Sequence, residues 1–140
     1  MSTNLTVIGN LAADPELKFT ASGKAVATFT VLASRSRKNE ETGQWESFDT
    51  TGWRVTAWER LAENVAESLS KGDGVVVVGS AVWRSWEKDD GTKGGRMEVT
   101  AQHVAVDLKR GVAKVTRTAR VDVASTANSR TTAVDEDFPF

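Results

Sequence analysis

Cysteine is absent from this chain of 140 residues, which excludes disulfides, thiolate metal ligands and a thiol nucleophile, and fits a reducing compartment. Histidine occurs once, at His103, so a histidine-based metal cluster is excluded and any triad needing histidine must use that residue. A lone histidine in a strand is ordinarily structural. No run of apolar residues approaches the roughly 18 of a membrane span, and residues 1–9 lack a basic start followed by an apolar block. These absences lead to the expectation of a soluble, cytoplasmic protein with no cofactor and no metal. A large excess of either charge is missing too, the formal net charge being -1. Its distribution is uneven: three of the 19 acidic residues lie in the last six positions, leaving 18 basic against 16 acidic side chains in residues 1–134. A mildly basic body followed by an acidic tail is the result.

The length suits one domain. Its body reads as strands, because β-branched and aromatic residues come in short runs broken by Gly, Asp, Asn and Pro. Residues 4–10 form the first run, and Asp14-Pro15 bends it before residues 17–19. From Ala25 the odd positions through Ala33 are apolar and alternate with Thr28, Thr30 and Ser34, the pattern of a strand buried on one face. Residues 48–58 are a third strand. One segment has helical spacing: Leu61, Ala62, Val65, Ala66 and Leu69, ended by Lys71-Gly72. Residues 74–86 and 96–106 are the fourth and fifth strands, joined by a turn-rich loop from Asp89 to Gly95. Three strands, one helix and a closing hairpin give an all-β fold, the five-stranded OB barrel, which holds oligonucleotides in many of its members. Residues 112–115 suggest a short added strand. Residues 121–134, rich in Ser, Thr and Ala, read as a flexible linker. The expected division is a domain over residues 1–120, a linker over 121–134 and a separate tip over 135–140.

Aromatic faces accept any base by stacking, and neighbouring cations neutralise phosphates, so the two interleaved bind single strands with little regard to sequence. Strand parity sorts the candidates. On the third strand Gly52, Arg54, Thr56 and Trp58 share one face, whereas Trp53 shares the other with Val55 and Ala57 and reads as core or subunit interface. On the fourth, Arg84 and Trp86 share a face while Trp83 points oppositely, and Lys88 enters the loop. Arg35 and Arg37 at the end of strand two, with Lys93 and Arg96 beyond the hairpin, complete a candidate nucleic-acid-binding set: Arg35, Arg37, Arg54, Trp58, Arg84, Trp86, Lys88, Lys93 and Arg96. Singly, each tryptophan is more often packing and each cation a solvated charge. At the other end Asp135, Glu136, Asp137, Phe138, Pro139 and Phe140 join three acids to two aromatics and a carboxylate, which suits a basic pocket with an apolar floor on a partner protein.

Val7-Ile8-Gly9-Asn10-Leu11, Asp14-Pro15-Glu16-Leu17, and Gly23 with Ala25-Val26-Ala27 resemble the opening of bacterial single-stranded DNA-binding proteins. Trp58 with Leu61-Ala62-Glu63-Asn64-Val65-Ala66 resembles that family's third-strand and helix signature, and the acidic Phe-Pro-Phe tip is a second match. The resemblance covers residues 4–106. It implies a homotetramer, cytoplasmic and nucleoid-associated, that wraps single-stranded DNA and recruits replication, recombination and repair proteins through its tip. Residues 108–117 look like the extra C-terminal strand of actinobacterial members, which helps clamp subunits. Trp58 and Trp86 match stacking positions of the family, and Arg54 and Arg84 match basic contacts. Gly52 stands where the family commonly has a stacking aromatic, and Arg37 stands near another such position. There Arg37 offers a cationic, planar contact, and Trp45, expected in the loop between strands two and three, offers further aromatic surface. A linker of about 14 residues reaches roughly 20 Å, so partners dock close to the body. Both departures suit an accessory, phage or plasmid copy as well as a housekeeping protein.

Two other readings compete. The first is an OB-fold primosome-type accessory module that binds nucleic acid weakly, against which the acidic tip argues. The second is a nuclease, but the only adjacent aspartates, Asp89 and Asp90, sit in a hairpin loop, and such loops are usually solvated turns.

Overall fold

The computed structural model describes residues 2–118. Their elements, in order, are β1 (Thr3–Leu11), β2 (Glu16–Phe19), β3 (Ala25–Lys38), β4 (Trp45–Trp58), α1 (Glu59–Ser68), β5 (Gly74–Glu87) and β6 (Lys93–Val106). Proline cannot donate to a ladder, so Asp14-Pro15 divides β1 from β2. Both halves nonetheless pair with β3, which makes them one bent strand and the barrel five-stranded. The sheet runs β1-β5-β6-β4-β3-β2 and closes on itself where Asn10 and Leu11 of β1 meet Leu32 and Val31 of β3. Gly9 stands at this crossing, where a Cβ would run into the Leu32 carbonyl. The result is the expected OB-fold.

Inward alternation builds the core. Ala25, Ala27, Phe29 and Val31 of β3 are buried with Val55 and Ala57 of β4, Val75 and Val77 of β5, and Val99 of β6. Of the four consecutive valines, therefore, only the odd-numbered pair faces inward. One end of the barrel is covered by α1, whose Ala62 and Val65 join the core together with Leu69 just past its end. This is the helical stripe read from the sequence.

Beyond the barrel, β3–β4 and β5–β6 continue as two long hairpin arms. The first is longer than expected: pairs Arg37↔Glu46 and Lys38↔Trp45 carry the ladder out to a turn at residues 39–44, so Trp45 opens β4 and is not in a loop. Polar sequence concealed this extension, which cross-strand pairing and a turn organised by the Asn39 carboxamide supply. Within the arm the register shifts between Ala33 and Arg35, and Asp49 takes a φ of 50° as the extra residue on β4.

Among the described residues, 112–115 pair with no strand, and Val112 and Val115 are almost wholly exposed. A strand forms only by pairing with an edge, and between this segment and Ile8, Gly9 and Asn10 of β1 lies an open cavity instead of a ladder. The linker at 121–134 and the tip residues Asp135, Glu136, Asp137, Phe138, Pro139 and Phe140 lie outside the described residues. Among the described residues no helix is long and apolar enough to cross a membrane.

Candidate nucleic-acid interface

Strand β6 lies between β5 and β4, antiparallel to the first and parallel to the second. Residues opposite one another in a ladder point to the same side of the sheet. The pairs Arg84↔Arg96, Trp86↔Gly94, Val82↔Glu98 and Arg54↔Glu98 therefore place Arg54, Arg84, Trp86, Arg96 and Glu98 on one outer face. Trp58 belongs to the same face of β4, four residues beyond Arg54 and so roughly 13 Å along the strand. It sits where the chain turns into α1, as that helix's N-terminal flanking residue. The band thus runs ring, arginines, ring, and both rings are accessible: Trp58 is 43% exposed and Trp86 42%.

At the centre of the band is a residue absent from the sequence-based set. Glu98 receives a hydrogen bond from Arg96 Nε at 2.9 Å, with Arg84 Nε at 3.5 Å and Arg54 Nε at 3.9 Å. Its side chain is only 15% exposed, against 38% for Arg54, 61% for Arg84 and 50% for Arg96. The carboxylate is the floor and the guanidiniums are the cover. Arg96 also lies 5.6 Å from the centre of the Trp86 ring, which joins the cluster to the aromatic.

Trp86 is held by a glycine. A Cβ on Gly94 would stand 2.8 Å from the ring, so the indole rests directly on bare backbone. Trp83 rests in the same way on Gly95 on the opposite side of the arm, and is more exposed than Trp86. Neither seat is visible in the sequence, where Gly94-Gly95 reads as the end of the turn-rich loop; the structure places both glycines in β6. Gly52 differs from both: a Cβ there would meet only the Thr30 and Leu32 side chains, at ordinary contact distances of 3.5 and 3.7 Å.

The other named residues are elsewhere. Arg35 and Arg37 form a separate group on the β3–β4 arm, 5.2 and 4.8 Å from the centre of the Phe48 ring and paired with Asp49 and Glu46. They share strand parity with the inward positions of β3, not with Arg54. Lys93 lies opposite Glu87, on the Trp83 side, and Lys88 is exposed at the turn. Trp53 is partly buried against the core, Trp45 is exposed near the tip of its arm, and His103 is exposed on β6. Of the turn aspartates, Asp90 has an ordinary structural role: it accepts hydrogen bonds from the Thr92 hydroxyl and backbone N–H, which hold its carboxyl below the usual range. Among the described residues no group of His, Cys, Asp and Glu is arranged to hold a metal ion.

A sequence model of the Single-strand binding protein family matches residues 2–107. The chain is 47% identical over 118 residues to a Corynebacterium glutamicum protein named single-stranded DNA-binding protein, covering 84% of this chain and 52% of that one. A Mycolicibacterium smegmatis protein of the same name is 42% identical over 118 residues, covering 84% and 72%. The chain therefore spans about half the length of the first relative and more of the second. The crystal structure of a small single-stranded DNA-binding protein from Streptomyces coelicolor superposes with a TM-score of 0.68 at 26% identity, covering 79% of this chain and 99% of that one.

Proposed function

Since the chain belongs to the single-strand binding protein family, we propose that it binds single-stranded DNA with little regard to base sequence, by stacking bases on exposed tryptophans and neutralising phosphates with the arginines between them. The carrying observation is the band on the outer face of β4, β6 and β5, where Trp58 and Trp86 flank Arg54, Arg84 and Arg96. An exposed indole fixed on bare backbone is already oriented for stacking, and a guanidinium beside it is at hand for the adjoining phosphate. Arg35, Arg37, Lys88 and Lys93 extend the positive surface along the two arms.

The wider role we propose is protection of single strands during replication, recombination and repair in the cytoplasm, at the nucleoid, with partner proteins docking on residues 135–140. The chain acts by binding, not catalysis. We further propose a homotetramer. It is supported by an edge of β1 that is left unpaired over most of its length, by exposed Ile8, and by exposed Leu108, Val112 and Val115 beyond β6. An added strand at residues 112–115 would then form against another copy.

Titration with oligo-dT, followed by tryptophan fluorescence, tests the central reading. Quenching with little preference among single-strand sequences is expected, and log K should fall with log salt at about −0.7 per phosphate neutralised. Preference for duplex DNA would overturn it.

A further inference from the structure

We propose that Glu98 is a positioning residue for DNA binding: a carboxylate that holds Arg54, Arg84 and Arg96 together as one phosphate seat beside Trp86. This rests on the single-strand reading above and goes beyond it in assigning a binding role to an acidic side chain.

An acid in the middle of a surface meant for a polyanion is electrostatically unfavourable, so its place there calls for a reason. Three guanidiniums brought to one patch repel one another and, being long and flexible, spread into solvent. Glu98 opposes both effects. It occupies the middle strand of three, so its carboxylate reaches one arginine on β4, one on β5 and one on its own strand. Because it lies beneath them, it leaves the outer side of the guanidiniums accessible while fixing where they stand. All three approach it through Nε, the inner nitrogen of the group. Arg96, bonded to Glu98 and set beside the Trp86 indole, then places the seat next to the ring. A base stacked on Trp86 has its own phosphate within the same neighbourhood, so ring and seat engage one nucleotide step together.

The sign of the effect makes the proposal testable. If Glu98 acted only as a charge, removing it would tighten binding to DNA. If it positions the arginines, removing it loosens binding although the face becomes more positive. Glu98→Gln keeps the shape and removes the charge; Glu98→Asp keeps the charge and draws it away from Arg54 and Arg84, which are already the more distant partners. Titrations of wild type and both variants with oligo-dT across a range of salt concentrations would be compared, with thermal melting as the check on folding. Glu98→Gln is expected to bind about five- to tenfold more weakly, with a salt slope shallower by roughly 0.7 for each phosphate no longer held. Glu98→Asp is expected to weaken binding in the same direction by less. A purely structural role would lower the melting temperature and leave the salt slope of the folded protein alone. Unchanged or tighter binding by Glu98→Gln, with wild type binding normally, overturns the positioning role and leaves single-strand binding standing. Absence of binding by wild type overturns both.

Discussion

At the scale of single residues, two tryptophans, one on β4 and one on β5, do opposite things. Trp53 alternates into the barrel with Val55 and Ala57 and packs against the core, whereas Trp86 lies beyond the barrel on an arm and keeps one face open. Trp86→Ala is therefore expected to weaken oligo-dT binding by about 1–3 kcal/mol with little change in melting temperature, as base stacking on an aromatic ring is worth that much. Trp53→Ala should lower thermal stability and disturb assembly instead. Equal losses of DNA affinity, with folding and assembly intact in both variants, would refute the parity argument. Parity was readable from residue numbers alone, because a strand has a period of two. Glu98 was not, since nothing marks one glutamate among many as the common partner of three arginines. The spacing Arg96-x-Glu98 did hold a hint, as it places those two side chains on one face of a strand.

At the scale of elements, glycines decide where rings can stand. Gly94 on β6 is the floor under Trp86, and a methyl there would enter the indole's space; Gly52 on β4 has ordinary room above it. Opposite outcomes follow for two superficially similar changes. Gly94→Ala should displace Trp86 and weaken binding nearly as much as Trp86→Ala, while Gly52→Phe should add a ring to the face that holds Arg54 and strengthen binding by about 1–3 kcal/mol. Fluorescence titration reads both, and weaker binding by a well-folded Gly52→Phe would show that this stretch of β4 lies off the DNA path. The arms themselves were only partly legible. The turn at Gly91 announced the β5–β6 hairpin through its composition, but the β3–β4 arm reaches Lys38 and Trp45 through polar, exposed residues that carry no hydrophobic alternation. Their order comes from ladder hydrogen bonds, which every residue type can make.

At the scale of the whole molecule, the proposed division of work between residues 1–134 and residues 135–140 follows the distribution of charge. The mildly basic body is suited to phosphates, and residues 135–140 concentrate acid and aromatic side chains suited to a protein partner. Deleting residues 135–140 is expected to abolish partner pull-down and to leave DNA affinity unchanged or slightly higher, because a competing polyanion has been removed. Retention of partner binding after the deletion would count against a docking tip. The same preparation, weighed by mass measurement with and without single-stranded DNA, should give a tetramer and the nucleotides bound by each one.

The sequence by itself determined the order of strands and helix, the OB class, the inward residues of β3, the helix stripe of α1 and the outward parity of Trp58 and Trp86. All of these follow from local periodicity and from turn chemistry, which act over a few residues. Trp83, on the inward parity, is exposed because its arm runs past the barrel. Only the tertiary structure decided that Arg54, Arg84 and Arg96 share Glu98, that Arg35 and Arg37 gather around Phe48 on another arm, and that Trp86 rests on Gly94. Hairpin register, shifted in one arm by the bulge, sets the last two and brings Arg84 beside Arg96; Arg54 reaches Glu98 through the parallel pairing of β4 with β6. That pairing joins residues more than forty positions apart, exists only because the barrel closes, and leaves no local pattern in the residues it brings together.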